Sequence, residues 1–219
     1  MPDNILSENQ IRFLEEFGKE KALAKNFYLT GGTPLAAFYL NHRYSEDLDF
    51  FSEREVDVLA IDIFLQKYKK ELGINKIDYE QSFNRNLFFL HFQNEILKTE
   101  FTFFPFARIE SGIKNYGVDT DSLLDIAVNK LFTIYQRTKA RDYVDLFFIC
   151  KEKNYNIDDL IKKSKIKFDW HIDSLQLGSQ FIRVAEAGDW PKMIKPLDKK
   201  ELILFFEAEA KNLRNQILE

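Results

Sequence analysis

Two aspartates separated by one residue are the first feature of this sequence that could do chemistry. Asp47 and Asp49 lie in the run Asp47-Leu48-Asp49-Phe50, where acidic and apolar residues alternate. This period of two predicts a β-strand with both carboxylates on one face and the apolar side chains buried on the other. Two carboxylates on one face can share hard divalent cations such as Mg²⁺ or Mn²⁺. A pair of such ions could orient a nucleophile and neutralise a triphosphate during in-line displacement.

Glu100 is the best candidate for a third metal ligand. It lies in the extended segment 96–104 and is predicted to face away from Phe101 and Phe103. A buried glutamate is costly without a partner, and a shared cation would provide one. The sequence therefore predicts a metal site of three carboxylates: Asp47, Asp49 and Glu100.

A glycine turn precedes the acidic strand. The run 27–29 predicts a short strand that leads directly into Gly31 and Gly32. These glycines lack Cβ atoms, so backbone N–H groups can approach a phosphate closely. Thr33 can cap a helix whose first position suits Pro34, and the positive end of that helix would point at the same phosphate. The predicted order is strand, glycine turn, helix and acidic strand.

Hydrophobic periodicity predicts the elements that position these residues. Ser7 and Gln10 form a capping-box pattern at the start of a first helix, which is predicted to extend to about Lys25. The other predicted helices cover about 34–42, 59–72, 121–137, 140–152, 157–164, 173–187 and 198–218. Three extended runs, at 76–81, 87–93 and 96–104, predict an antiparallel meander.

The pattern changes class near Gly117. Strands and helices mix before it, and from Asp121 onward the periodicity is helical almost throughout. We therefore predict an α+β fold in two parts: residues 1–117 form an α/β domain and residues 118–219 form a C-terminal helical bundle.

Composition limits the classes of function. The 219 residues are 45% hydrophobic and 30% charged, which is typical of a globular protein and not of a disordered chain. The net charge of −4 lacks the basic footprint of a dedicated duplex-DNA-binding protein. The single cysteine, Cys150, lies in an apolar stretch and predicts a reduced thiol in the core. The sequence shows neither a signal peptide nor a membrane span, so we predict a cytoplasmic protein with no membrane partner.

Two segments together carry a family resemblance. LTGGTPLA at 29–36 and HRYSEDLDFF at 42–51 resemble the signature of the AbiEii/AbiGii toxin family of nucleotidyltransferases, within the polymerase-β superfamily. The resemblance extends to about residue 152, through DIAVNKL at 125–131 and RDYVDL at 141–146. It implies a polymerase-β-type mixed sheet with flanking helices, followed by the helical bundle.

The resemblance also implies roles for single residues. Lys130 would contact the nucleotide phosphates, and Asp145 would be a further functional acid. The residues implied to bind nucleotide are Gly31, Gly32, Thr33, Ser45 and Lys130. Alternatively, Lys130 is a solvated helix lysine. A second alternative is ion pairing along helical turns, between the acids Asp142 and Asp145 and the arginines Arg137 and Arg141.

By the same resemblance the protein would be a metal-dependent nucleotidyltransferase and the toxin of a toxin–antitoxin or abortive-infection system. Its cofactor would be Mg²⁺ or Mn²⁺, its nucleotide substrate an NTP, its acceptor an RNA such as a tRNA, and its partner a cognate antitoxin. Asp47 and Asp49 would hold the metal-bound NTP, and Glu100 would help to activate the acceptor hydroxyl. Two alternatives remain: an acceptor that is a small molecule or a protein side chain, or a non-catalytic nucleotide-binding relative.

Overall fold

A computed structural model describes the backbone of residues 5–218 and the side chains as far as Arg214. Contacts divide the chain into two compact units. The first contains the residues up to Tyr39 together with Ser45–Ser122, and the second contains Leu40–Tyr44 together with the residues from Leu123 onward. This division differs from the predicted 1–117 and 118–219 in two places, at the short segment 40–44 and at residues 118–122.

The described part of the first unit is built on a mixed sheet of seven strands in the order β3-β4-β5-β2-β1-β7-β6. Its strands are β1 (Tyr28–Thr30), β2 (Leu48–Ser52), β3 (Lys76–Ser82), β4 (Arg85–His91), β5 (Ile96–Phe103), β6 (Lys114–Asn115) and β7 (Val118–Thr120). The pairs β2–β5 and β1–β7 are parallel, and the other neighbouring strands are antiparallel. The predicted fold class and the predicted meander of β3, β4 and β5 are confirmed.

Among the residues that the structure describes, four helical segments belong to the part of the chain that carries this sheet. They are α1 (Glu8–Lys19), α2 (Lys21–Ala24), α3 (Gly32–Pro34, continued as a π-helix over Leu35–Leu40) and α4 (Val58–Leu72). Ser7 and Gln10 form the predicted capping box of α1. The prediction of one helix as far as Lys25 is wrong, because the backbone at Glu20 leaves the helical region (φ −80°, ψ 69°) and a second short helix begins.

Phenylalanines form the core on one face of the sheet. The Phe17 ring of α1 lies 4.8 Å from the ring of Phe50 on β2 and 5.4 Å from the ring of Phe64 on α4. Phe50 also stacks on Phe101 of β5, with 4.9 Å between the centroids. Because side chains alternate across a strand, the neighbours of Phe50 and Phe101 point to the opposite face. That opposite face carries the predicted carboxylates.

The second unit is helical, as predicted. Its helices are α5 (Leu123–Gln136), α6 (Ala140–Lys153), α7 (Ile157–Phe168), α8 (Ser174–Ile182, followed by a 3₁₀ turn over Arg183–Glu186) and α9 (Lys199–Leu218). The side chains of Tyr143, Phe181 and Phe206 pack together in its core, with ring centroids 5.1 and 5.2 Å apart around Phe206. Cys150 is buried, and burial raises the pKa of its thiol to about 12. Among the described residues, no helix is both long and apolar enough to cross a membrane.

Candidate active site

The parallel pairing of β2 with β5 places two of the predicted carboxylates side by side. Asp49 is the register partner of Glu100, and Leu48 is the partner of Thr99. Asp47 directly precedes β2, two residues before Asp49. Paired residues on neighbouring strands point to the same face. The first unit therefore brings Asp47, Asp49 and Glu100 to one face of its sheet.

Glu100 is held tightly by Arg85, a residue that was not among the predicted site residues. The Nε and Nη2 groups of Arg85 each donate to one carboxylate oxygen of Glu100 at 2.6 Å, and the Thr102 hydroxyl donates to Oε1 at 2.8 Å. Glu100 is only 5% exposed. Burial alone would raise the pKa of Glu100, but the hydrogen bonds from Arg85 and Thr102 outweigh it and lower this pKa. Glu100 is therefore a carboxylate, and not a carboxylic acid, at neutral pH.

Lys98 is a second cation on this face. Its Nζ lies 2.9 Å from Asp47 Oδ2 and 3.8 Å from Glu100 Oε2. The hydrogen bonds to Glu100 raise the pKa of Arg85, and the charges of Asp49 and Asp47 add to this effect. The alternation of 96–104 places Lys98 on the face of Glu100, so the sequence contained a signal for Lys98. Arg85 is found only once the register of β4 on β5 is known.

The turn after β1 needs a glycine at its first position. Gly31 has φ +82°, a value that side chains with a Cβ rarely adopt. A Cβ added to Gly31 would lie 2.8 Å from Asp49 Oδ2. Thr30 is the register partner of Asp49, so the turn begins next to the carboxylate. The glycine at position 31 thus leaves the space beside the Asp49 carboxylate free of a Cβ atom.

Hydrogen bonds fix the segment that leads into β2. The Thr33 hydroxyl is buried, lies 2.8 Å from Ser45 Oγ and donates to the main-chain oxygen of Asp47. The Gln10 side chain on α1 donates to the main-chain oxygens of Ser45 and Glu46. The structure therefore joins the predicted nucleotide-binding residues Thr33 and Ser45 to the start of the acidic strand. Gln10 therefore supports this segment in addition to its part in the predicted capping box of α1.

The donor set of this face has the chemistry of a hard-cation site. Asp47, Asp49 and Glu100 offer carboxylate oxygens, which suit Mg²⁺ or Mn²⁺. Among the described residues, no trio of His, Cys, Asp or Glu side chains is arranged to hold a metal ion as the side chains stand. The present partners of Asp47 and Glu100 are Lys98 and Arg85. The ligand types fit such an ion, and Lys98 lies against one of the proposed ligands, Asp47.

Lys130 and Asp145 lie in a buried ionic cluster of the second unit. The Nζ of Lys130 on α5 lies 2.8 Å from Asp142 Oδ1 and 2.7 Å from Asp145 Oδ2, both on α6. Asp145 is fully buried and also accepts hydrogen bonds from Arg43 Nε at 2.6 Å and Nη2 at 2.8 Å. Burial opposes its charge, but Arg43 and Lys130 hold the pKa of Asp145 well below its ordinary value. His42 Nε2 lies 2.8 Å from Asp145 Oδ1.

These contacts decide between the alternatives raised for the two helices. Lys130 is 8% exposed, so the alternative of a solvated lysine is wrong. Asp142 pairs with Arg137 at 3.1 Å, as the ion-pair alternative expected. Asp145 pairs instead with the segment 40–44, through Arg43, which lies 102 residues away in sequence. No local pattern could have predicted that pair.

Solved structures define the class of this fold. A Helicobacter pylori protein described as JHP933 matches with a TM-score of 0.60 and 21% identity, covering 98% of this chain and 93% of that one. A second structure, described as a putative nucleotidyltransferase from H. pylori, matches with a TM-score of 0.60 and 23% identity, covering 98% and 99%. The fold is therefore that of a nucleotidyltransferase-like mixed sheet with a C-terminal helical region.

A family model then identifies the chain itself. The model described as nucleotidyl transferase AbiEii toxin, type IV toxin–antitoxin system, matches residues 12–212. The chain belongs to the AbiEii family of nucleotidyltransferase toxins, and the predicted resemblance is confirmed. A protein of Aquifex aeolicus, described as the uncharacterized protein aq_aa25, is 29% identical over 150 residues, or 67% of this chain and 68% of that protein.

Proposed function

We propose that this protein is a metal-dependent nucleotidyltransferase that transfers a nucleoside monophosphate from an NTP to an RNA acceptor. The observation that carries the proposal is the parallel register of β2 on β5, which sets Asp49 beside Glu100 on the face of Asp47. Gly31 brings backbone against Asp49 at the same point. Membership of the AbiEii family supports both the reaction and the role of a toxin.

In this proposal Asp47 and Asp49 hold the divalent cation, with Glu100 as the third carboxylate. The cation, when bound, supplies positive charge to the triphosphate and to the attacking oxygen. Glu100 contributes a fixed negative charge, because Arg85 and Thr102 orient its oxygens and lower its pKa. A carboxylate with a lowered pKa is a weak proton acceptor. We therefore assign Glu100 to metal binding ahead of proton abstraction from the acceptor.

The glycine turn is proposed to cradle the phosphates. Gly31 presents backbone without a Cβ atom beside Asp49, and Gly32 follows it in the turn. Thr33 and Ser45 join this turn to the acidic strand through their hydroxyl contact. In this proposal Thr33 and Ser45 keep the distance between the turn and the carboxylates fixed. Small displacements of reacting groups lower reaction rates strongly.

Lys130 and Asp145 are kept as proposed functional residues on the strength of the family resemblance. Within the second unit, the buried carboxylate of Asp145 contacts Lys130, Arg43 and His42. This arrangement supports a positioning role for Asp145. Asp142 and Asp145 both bind Lys130 and so orient its ammonium group. Burial alone would lower the pKa of Lys130, but the charges of the two aspartates outweigh it and raise this pKa. The ammonium group therefore stays charged.

A toxin of a type IV system implies a cognate antitoxin, and we propose such a protein as the partner. We also propose a cytoplasmic location, where NTP and RNA are available. The net charge of −4 argues against strong non-specific binding of nucleic acid, so the RNA acceptor would be recognised locally. A tRNA is the acceptor to test first.

The test is incubation of the purified protein with Mg²⁺, each α-labelled NTP in turn and total tRNA. We expect label on RNA with wild-type protein and none with Asp49→Asn. Asp78→Asn is the matched control, because Asp78 is a partly exposed strand aspartate of the same sheet that pairs with Lys76 and His91. Label on a small molecule or on protein would replace the RNA acceptor. Label on nothing, with every NTP, would leave a nucleotide-binding relative as the better description.

A further inference from the structure

The ammonium group of Lys98 lies between two of the three proposed metal ligands. Its Nζ is 2.9 Å from Asp47 Oδ2 and 3.8 Å from Glu100 Oε2. Lys98 and Glu100 are two residues apart on β5, so their side chains stand on the same face of the sheet. Lys98 therefore neutralises the same carboxylates that a divalent cation would neutralise.

Arg85 differs from Lys98 in the geometry of its contact. Its planar guanidinium binds both oxygens of Glu100, at 2.6 Å each, which is the bidentate arrangement that fixes a carboxylate most firmly. Lys98 contacts Asp47 through one ammonium on a flexible four-carbon stem. The Lys98 side chain is also 25% exposed, so its end can move without disturbing β5. Of the two cations, Lys98 is the one suited to exchange.

We propose that Lys98 competes with the divalent cation for Asp47 and that, once displaced, its ammonium binds the triphosphate of the NTP. The inference rests on the proposed nucleotidyltransferase function. The metal takes the oxygen that Lys98 contacts, and two positive charges near one carboxylate repel each other. A phosphate brought in with the metal is the nearest new anion, and a lysine ammonium binds phosphate well. Lys98 thereby links metal binding to nucleotide binding.

The test uses Lys98→Met, which removes the charge and keeps most of the volume, and Lys98→Arg, which keeps the charge. Mn²⁺ binding without nucleotide is measured by electron paramagnetic resonance, and binding of a non-hydrolysable NTP analogue at saturating Mn²⁺ is measured by calorimetry. We expect Lys98→Met to bind Mn²⁺ roughly tenfold more tightly and the analogue roughly tenfold more weakly. Lys98→Arg is expected to stay near wild type in both measurements.

Lys76→Met is the matched control. Lys76 lies on β3 of the same sheet, and its Nζ is 2.8 Å from Asp78 Oδ1. The Lys76→Met variant therefore loses a comparable ion pair at a position away from the three carboxylates. It should change neither affinity. If wild-type protein binds Mn²⁺ and Lys98→Met binds it no more tightly, the competition is refuted. An unchanged affinity for the analogue refutes the phosphate contact.

Asp49→Asn separates this inference from the function on which it rests. If wild type and Asp49→Asn bind Mn²⁺ equally, or neither binds it, the three-carboxylate metal site is wrong and the proposed function fails together with the role of Lys98. If Asp49→Asn abolishes a Mn²⁺ site present in wild type, the metal site stands and the two Lys98 variants decide the inference alone.

Discussion

Two residues of the first unit meet different requirements: Gly31 must adopt an unusual backbone conformation, and Glu100 must keep its charge. Gly31 must adopt a positive φ and must leave the space beside the Asp49 carboxylate open. Glu100 must stay ionised although it is nearly buried, and Arg85 and Thr102 make this state favourable. Replacing Gly31 is therefore expected to change the geometry around Asp49, and replacing Glu100 is expected to change the charge of the site. The two effects can be measured separately.

Gly31→Ala is expected to lower nucleotidyl transfer by about 100-fold or more, because the new Cβ would lie 2.8 Å from Asp49 Oδ2 and displace it. Gly73→Ala is the matched control. Gly73 has nearly the same backbone conformation, φ +77°, but a Cβ there meets nothing within 4 Å. It should cost about 1–2 kcal/mol of stability and leave activity unchanged. Equal losses of activity in both variants would show that backbone strain alone, and not the contact with Asp49, matters.

Glu100→Gln should reduce transfer by roughly 100-fold, because it removes one charge from the proposed metal site and leaves Arg85 without its carboxylate. Glu80→Gln, at an exposed position of β3, serves as the control in the same labelled-NTP assay. Full activity in Glu100→Gln would mean that a different acid completes the site.

In the second unit, the carboxylate of Asp145 connects two helices and a loop. Asp145 on α6 binds Lys130 on α5 and Arg43 in the segment 40–44, all with little or no exposure to solvent. Removing one member of a buried ionic cluster leaves the other charges uncompensated, and this is more costly than losing a surface pair.

Asp145→Asn is therefore expected to lower the free energy of unfolding of the second unit by about 3–5 kcal/mol. Both tryptophans, Trp170 and Trp190, belong to this unit, so their fluorescence during urea denaturation reports its unfolding. Asp159→Asn removes an exposed partner of Lys162 and should cost less than about 1 kcal/mol. A similar small loss for Asp145→Asn would show that the cluster does not hold these elements together.

For the molecule as a whole, His42 should make stability depend on pH. Burial lowers the pKa of His42 below its ordinary value of 6.5, although the hydrogen bond to Asp145 opposes this. The unfolded chain then binds a proton more readily than the folded chain. Stability should fall as the pH decreases below about 6.5, by up to about 1.4 kcal/mol per pH unit. Asp142 and Asp145, whose pKa values are lowered in the fold, add a further loss in more acidic solution.

The measurement is urea denaturation, followed by tryptophan fluorescence, at pH 7.0 and pH 5.5. His42→Gln retains a side-chain donor for Asp145 and should show a smaller difference between the two pH values than wild type. His171→Gln changes an exposed histidine of the same unit and should behave as wild type. If the pH difference persists unchanged in His42→Gln, the protonation of another group causes it.

The local features of this protein follow from short stretches of its sequence. The alternation at 47–50 and 96–104 predicted the acidic strand and the strand of Glu100, and the ends of most helices were set within a few residues by caps such as Ser7 and Gly73. These signals depend on neighbouring residues only. The short strands β6 and β7 lacked enough length to be recognised, and neither the end of α1 at Glu20 nor the π-helix over 35–40 has a clear sequence pattern.

Which of these elements contact one another depends on tertiary packing. The register of β2 on β5, which sets Asp49 beside Glu100, joins strands about 50 residues apart, and the register of β4 on β5 selects Arg85. Asp145 accepts a hydrogen bond from Arg43, which lies 102 residues away in the sequence. Such pairs depend on how the whole chain packs, since a shift of one residue in register would turn each side chain to the other face of the sheet. The carboxylates and the face of Lys98 followed from the alternation of their strands, whereas Arg85 and Arg43 could be assigned as carboxylate partners only from the fold.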